Sequence, residues 1–100
     1  MNITQTRKDN GVELILSGRL DVNASAQLET EINNFLSLVA VKNLTLDMSG
    51  LEYISSAGIR VLLYAQKNLK NGRELIIKNP SEFCRQVFEV TGADIFLKIV

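Results

Sequence analysis

Histidine is absent from all 100 residues. Its absence removes the usual general base, the commonest metal ligand and the usual switch near neutral pH. Cysteine occurs once, at Cys84, which excludes an internal disulfide framework and any cysteine-based metal site. Excess charge of one sign is lacking too, because eleven basic residues balance eleven acidic ones. The longest basic cluster is Arg7-Lys8, far short of a stripe that tracks a phosphate backbone, so nucleic acid is not an expected partner. Long hydrophobic runs are also missing. Residues 59–65 form one of the most continuous stretches, too short and interrupted to enter and cross a bilayer. Residues 1–9 are polar and lack the apolar run of a signal peptide. A cytoplasmic location, without direct membrane insertion, is the default expectation.

Catalytic signatures are missing in the same way. The chain has no Gly-x-x-x-x-Gly-Lys-Ser/Thr phosphate loop, no Gly-x-Ser-x-Gly elbow and no zinc-ligand spacing. Ser56, with Asp21 or Asp47, has no histidine to act as base, and Lys67 lies three turns further along a helix. Neither an enzyme nor a cofactor is expected.

What is present is ordinary for one globular domain over residues 1–100: 46% hydrophobic and 22% charged residues, enough for a modest core. Asn10-Gly11 is a turn signal between residues 3–8 and 12–17, which predicts a hairpin. Leu28, Ile32, Phe35, Leu36 and Val39 follow the spacing of one helix face, with Asn23 or Ser25 as its cap. Leu44, Leu46 and Met48 alternate with polar residues as a half-covered strand does. A second helix is predicted from Ser56 to Leu69, with Val61, Leu62, Ala65 and Leu69 facing inward and Asn71-Gly72 stopping it. Leu75 to Ile77 reads as a buried central strand. Asn79 as cap, Pro80 at the first helical position and Glu82 three residues after the cap predict a third helix. Phe83, Val87 and Phe88 form its apolar face and Thr91-Gly92 its end, with Cys84 as a small core residue beside that face. Residues 95–99 read as a last strand. The order β-β-α-β-α-β-α-β predicts an α/β domain with a mainly parallel, mixed sheet of four or five strands. Function in such folds sits where strand ends feed into helices.

The segment from residue 44 to 63 is such a place: LTLDMSGLEYISSAGIRVLL. It reads as a strand, a turn at Ser49-Gly50, a short apolar approach and two serines at a helix start. A serine there has two roles open to it. Its hydroxyl can cap a free backbone N–H, or it can carry a phosphate, which free N–H groups and the helix dipole accommodate. Asp21, after a strand, is a turn or helix-start acid. Asp47 is a solvated or turn-capping carboxylate. Arg60 points away from the inner stripe, as a solvated charge or part of a partner-facing surface.

Three motifs in one register carry a resemblance. Leu46-Asp47-Met48-Ser49-Gly50, Ser55-Ser56-Ala57-Gly58-Ile59 and Ser17-Gly18-Arg19-Leu20-Asp21 stand in order. The chain is similar over residues 12–99 to the anti-sigma-factor antagonists of the STAS family. Their strand ends in Val-Asp-Leu-Ser-Gly, their second helix opens with Asp-Ser-Ser/Thr-Gly-Leu, and a Gly-x-Leu-Asp turn precedes their first helix. The resemblance implies a phosphorylation site at Ser56, with Ser55 as runner-up. It implies a partner-binding surface formed by Asp21, Asp47, Ser55, Ala57, Gly58 and Arg60. It also implies two partners, a serine phosphatase and an anti-sigma factor that is a serine protein kinase; the sequence leaves the oligomeric state open, with a monomer favoured. Ser55 stands where the family has an Asp, and Ala57 where it has a second Ser/Thr. The family's C-terminal helix is expected to be absent, since the sequence stops at Val100. Those departures favour the alternative, a STAS module that binds without being switched. Such modules serve in lipid-transport ABC complexes, transporters and stress-signalling scaffolds.

Overall fold

The computed structural model describes residues 1–8, 11–38, 41–69 and 72–100. Asn10 of the hairpin turn, Val39 of the first helix stripe and Asn71 of the second helix stop lie outside the described residues. The strands are β1 (Asn2–Lys8), β2 (Gly11–Leu20), β3 (Asn43–Ile54), β4 (Glu74–Lys78) and β5 (Lys98–Ile99). The helices are α1 (Val22–Leu36), α2 (Ser56–Asn68) and α3 (Glu82–Thr91). The strands pair in chain order, β1 to β2 antiparallel and the rest parallel. The hairpin and the mixed, mainly parallel sheet are as the sequence predicts.

Burial alternates along the strands because successive side chains leave opposite faces. Val12, Leu14 and Leu16 of β2, Leu44, Leu46 and Met48 of β3, and Leu75 and Ile77 of β4 are buried on one face. Leu28, Ile32 and Phe35 of α1, Val61, Leu62 and Ala65 of α2, and Cys84 and Phe88 of α3 join the same core. The opposite face carries Glu13, Thr45, Asp47 and Lys78, all half-buried. Two ion pairs cross it, Lys78 to Glu13 at 3.1 Å and Lys98 to Glu74 at 3.2 Å. Exposed pairs of this kind add little stability.

Several boundaries differ from the sequence reading. The expected turn at Ser49-Gly50 is a bulge inside a continuous β3: Ile15 pairs with Asp47 but Ser17 with Gly50, so β3 holds one extra residue there. The Asp47 carboxylate stabilises that bulge, accepting from the Ser49 backbone N–H at 3.0 Å and its hydroxyl at 2.8 Å. Gly50 lets β2 and β3 come close here, since a Cβ on it would press on Ser17 Cβ at 3.0 Å and the Leu16 carbonyl at 3.1 Å. Helix α1 starts earlier than Asn23 or Ser25 because Asp21 is its cap, accepting from the Ala24 N–H at 2.8 Å. The small buried Ala24 and Ser25 extend its inner stripe without registering as a hydrophobic period. At its other end Arg73 clasps four carbonyls, of Phe35, Leu36, Leu38 and Val41, at 2.8–3.1 Å. These satisfy acceptors that a helix end leaves open.

Helix α3 is capped by Ser81, which accepts from the Cys84 N–H at 3.3 Å, not by Asn79. Asn79 instead adopts a left-handed turn (φ 50°) and donates to the Val100 carbonyl, so Pro80 precedes the helix. Phe83 is not in the core but exposed, its ring 5.9 Å from that of Tyr53. Cys84 takes the inward place beside Phe88, and burial pushes its thiol above the ordinary range, against a smaller lowering by the Ser81 hydrogen bond. The expected strand over residues 95–99 is shorter. Ala93–Ile95 form a 3-10 turn that buries Ala93 and leaves Ile95 and Phe96 exposed, and only Lys98–Ile99 pair with β4.

Candidate functional site

The carboxyl ends of β2 and β3 deliver the starts of α1 and α2 side by side. The Ser55 backbone N–H donates to the Leu20 carbonyl at 2.9 Å, stitching the two strand ends together. One residue beyond Leu20, Asp21 caps α1; one residue beyond Ile54, Ser55 caps α2 and accepts from the Gly58 N–H at 3.1 Å. The capping reading of the paired serines therefore falls to Ser55. Ser56 becomes the first helical residue of α2, and its side chain is exposed.

Ser25 and Ser55 are the buried polar residues of the core among the described residues, and they lie 3.4 Å apart through their hydroxyls. The Ser25 hydroxyl donates to the Asp21 carbonyl at 2.6 Å. Its single proton is thereby used, so the Ser55 hydroxyl is the donor across the 3.4 Å gap. One proton chain thus runs from Ser55 through Ser25 to the Asp21 backbone, and both neighbouring hydroxyls are committed to structure. The Ser56 hydroxyl has no protein partner among the described contacts.

Gly58 lies beneath this junction. A Cβ on it would meet Leu20 Cγ at 2.9 Å and Ile54 Cγ1 at 3.0 Å, so only glycine lets α2 approach the strand ends this closely. From here α1 and α2 diverge around a groove of about 260 Å³. Val22, Ala26 and Glu29 line it from α1; Ala57, Arg60 and Tyr64 line it from α2. Val22 and Tyr64 are more than half exposed, giving the groove an apolar rim with one charge of each sign.

The structure therefore brings Asp21, Ser55, Ser56, Ala57, Gly58 and Arg60 to one end of the sheet. Asp47 stands apart, seven residues before the end of β3 on the uncovered face, about 20 Å back at the rise of a strand. Glu29, Val22 and Tyr64 were not singled out by the sequence, and Ser25 only as a candidate cap of the first helix. Tyr64 was within reach of it, since Ser56, Arg60 and Tyr64 share a four-residue helical spacing. The Ser25–Ser55 contact joins residues thirty apart and has no local signal.

No helix among the described residues is long and apolar enough to cross a membrane. A group of three or more metal-binding side chains is also lacking among them. The family model of the STAS domain matches residues 2–100. The Bordetella bronchiseptica protein BtrV, named as an anti-sigma factor antagonist, is 32% identical in an alignment of 93 residues that covers 92% of this chain and 79% of that protein. The anti-sigma factor antagonist SpoIIAA in its unphosphorylated form superposes with a TM-score of 0.84 at 23% identity, covering 99% of this chain and 88% of that one. The Bacillus cell fate determinant SpoIIAA in the phosphorylated form gives 0.77 at 23% identity, with 99% and 91% covered.

Proposed function

The chain belongs to the STAS domain family, and from that membership we propose that it is an anti-sigma-factor antagonist switched by phosphorylation of Ser56. It acts by binding, without catalysis of its own, in the cytoplasm. Unmodified, it engages an anti-sigma factor that is also a serine kinase, through the α1/α2 groove and the residues around Ser56, and so frees the sigma factor. The kinase transfers the γ-phosphoryl group of ATP to the Ser56 oxygen, releasing ADP and the hydroxyl proton. A phosphatase returns the hydroxyl by hydrolysis.

One observation carries this reading. Of the two adjacent serines at the start of α2, Ser55 is buried and bonded, while Ser56 is exposed on the first helical residue. Phosphate adds a charge of about −1.5 to −2 there. The free N–H groups of a helix start tolerate that charge, so its effect falls on whatever docks beside it and not on folding. Asp21, Ser55 and Gly58 shape the junction, Ala57 and Arg60 face the partner, and Asp47 serves the β3 bulge.

A constitutive STAS module within a larger complex is favoured by two residues, Ser55 in place of the family's acid and Ala57 in place of its second hydroxyl. Incubation with the cognate kinase and ATP, followed by intact mass and fragment mapping, separates the two. The switch gains one phosphate on Ser56 and none in Ser56→Ala. An unchanged mass in the wild-type chain would assign it to the constitutive module.

A further inference from the structure

We propose that Arg60 is the residue through which the charge on Ser56 reaches the groove: a phosphate on Ser56 captures the guanidinium and leaves Glu29 uncompensated. The proposal rests on Ser56 as the modified residue and adds how that modification is sensed one helical turn away.

Ser56 and Arg60 are four residues apart on α2, and both are exposed. Side chains at that spacing are neighbours on one helix face, with about 5–6 Å between Cβ atoms, well within the reach of an arginine. Among the described residues Arg60 makes no ion pair, the two pairs present both lying elsewhere. It lines the groove opposite Glu29 of α1, with Tyr64 the other titratable group on the lining. Asp21 faces the same sheet end but its carboxylate caps α1.

The charges then decide the direction. Without phosphate, Arg60 balances Glu29 and the groove has no net charge. A phosphoserine offers the planar guanidinium fork a nearly dianionic acceptor, two of whose oxygens can pair with it bidentately, against one carboxylate across the groove. Arg60 turns to the phosphate. The groove keeps the Glu29 charge alone, so a partner surface that fits the balanced groove meets repulsion at a point the phosphate itself does not touch.

The test installs phosphoserine at position 56 by genetic encoding, so that no kinase is needed, and follows its second ionisation by phosphorus NMR. That ionisation lies ordinarily at about pH 6. In the otherwise wild-type chain it falls about half a unit below its value in Arg60→Gln, with Arg60→Lys in between because an ammonium keeps the charge and loses the fork. Glu29→Gln, which removes the competing carboxylate, lowers it further. Equal titration in the wild-type and Arg60→Gln backgrounds overturns the proposal. Failure of the kinase to modify the natural Ser56 overturns the switch reading instead, and leaves the titration difference standing as a property of the pair.

Discussion

At the scale of single residues, two adjacent serines of identical chemistry are given opposite roles by burial. Ser55 accepts from the Gly58 N–H and donates its own hydroxyl to Ser25; Ser56 faces solvent. Loss of a serine cap costs about 0.5–2 kcal/mol, while exposed substitutions stay within about 0.5 kcal/mol. Ser55→Ala therefore lowers the urea-unfolding free energy by about 1 kcal/mol, and Ser56→Ala leaves it unchanged within error. Equal losses in the two variants would mean that the cap is shared. Local chemistry placed a cap and a modification site on this pair without dividing them, and only the family resemblance put the phosphate on Ser56; the cap's place on Ser55 depends on Leu20 and Ser25. Those residues lie thirty or more positions away and only the fold brings them in. Asp21 was read from local chemistry as a turn or helix-start acid, with the cap given to Asn23 or Ser25, and it is Asp21 that caps α1.

At the scale of elements, the parts that were legible are those with a strong period and an ordinary stop. Helix α2, the alternation of residues 44–48 in β3, and the Thr91-Gly92 end of α3 are of this kind, Gly92 closing the helix at φ 76°. The parts that were not are set by competition between equivalent signals. Asn79 and Ser81 are both cap formers, and the bond from Asn79 to Val100 and that from Ser81 to Met48 decide between them. Ser49-Gly50 has turn chemistry, yet pairing with β2 on both sides holds it in the sheet as a bulge. Gly58 shows how packing outweighs propensity. Alanine in a helix gains about 1 kcal/mol over glycine, but overpacking a filled site costs about 1–3 kcal/mol. With a Cβ only 2.9 Å from Leu20 Cγ, Gly58→Ala should lose about 1 kcal/mol net and shift the start of α2. A melting temperature that rises in this variant would show that Leu20 yields without cost.

At the scale of the whole molecule, one sheet face is spent on the core and one sheet end on the site. The core includes Cys84, whose folded-state pKa is raised by burial. A group raised on folding supports the native state while protonated in both states. The support fades once the unfolded thiol ionises, near about pH 8.5, because the unfolded chain then binds fewer protons than the native one. Unfolding free energy should thus decline as pH rises above that point, and Cys84→Ala should flatten the decline. An unchanged slope in Cys84→Ala would trace it to other groups. Cys84 lies on α3 and does not line the groove between α1 and α2, so binding there is separable from the support this thiol gives to folding. That separation is what the central claim requires, namely that the charge on Ser56 governs docking and not folding. The most direct measurement is the affinity of Ser56→Ala and Ser56→Asp for the cognate anti-sigma kinase, with both melting curves recorded. The account predicts that Ser56→Ala binds as the wild type does. Ser56→Asp should bind at least about tenfold more weakly, a loss of about 1.4 kcal/mol, at equal melting temperature. Equal affinities for the two variants would contradict it.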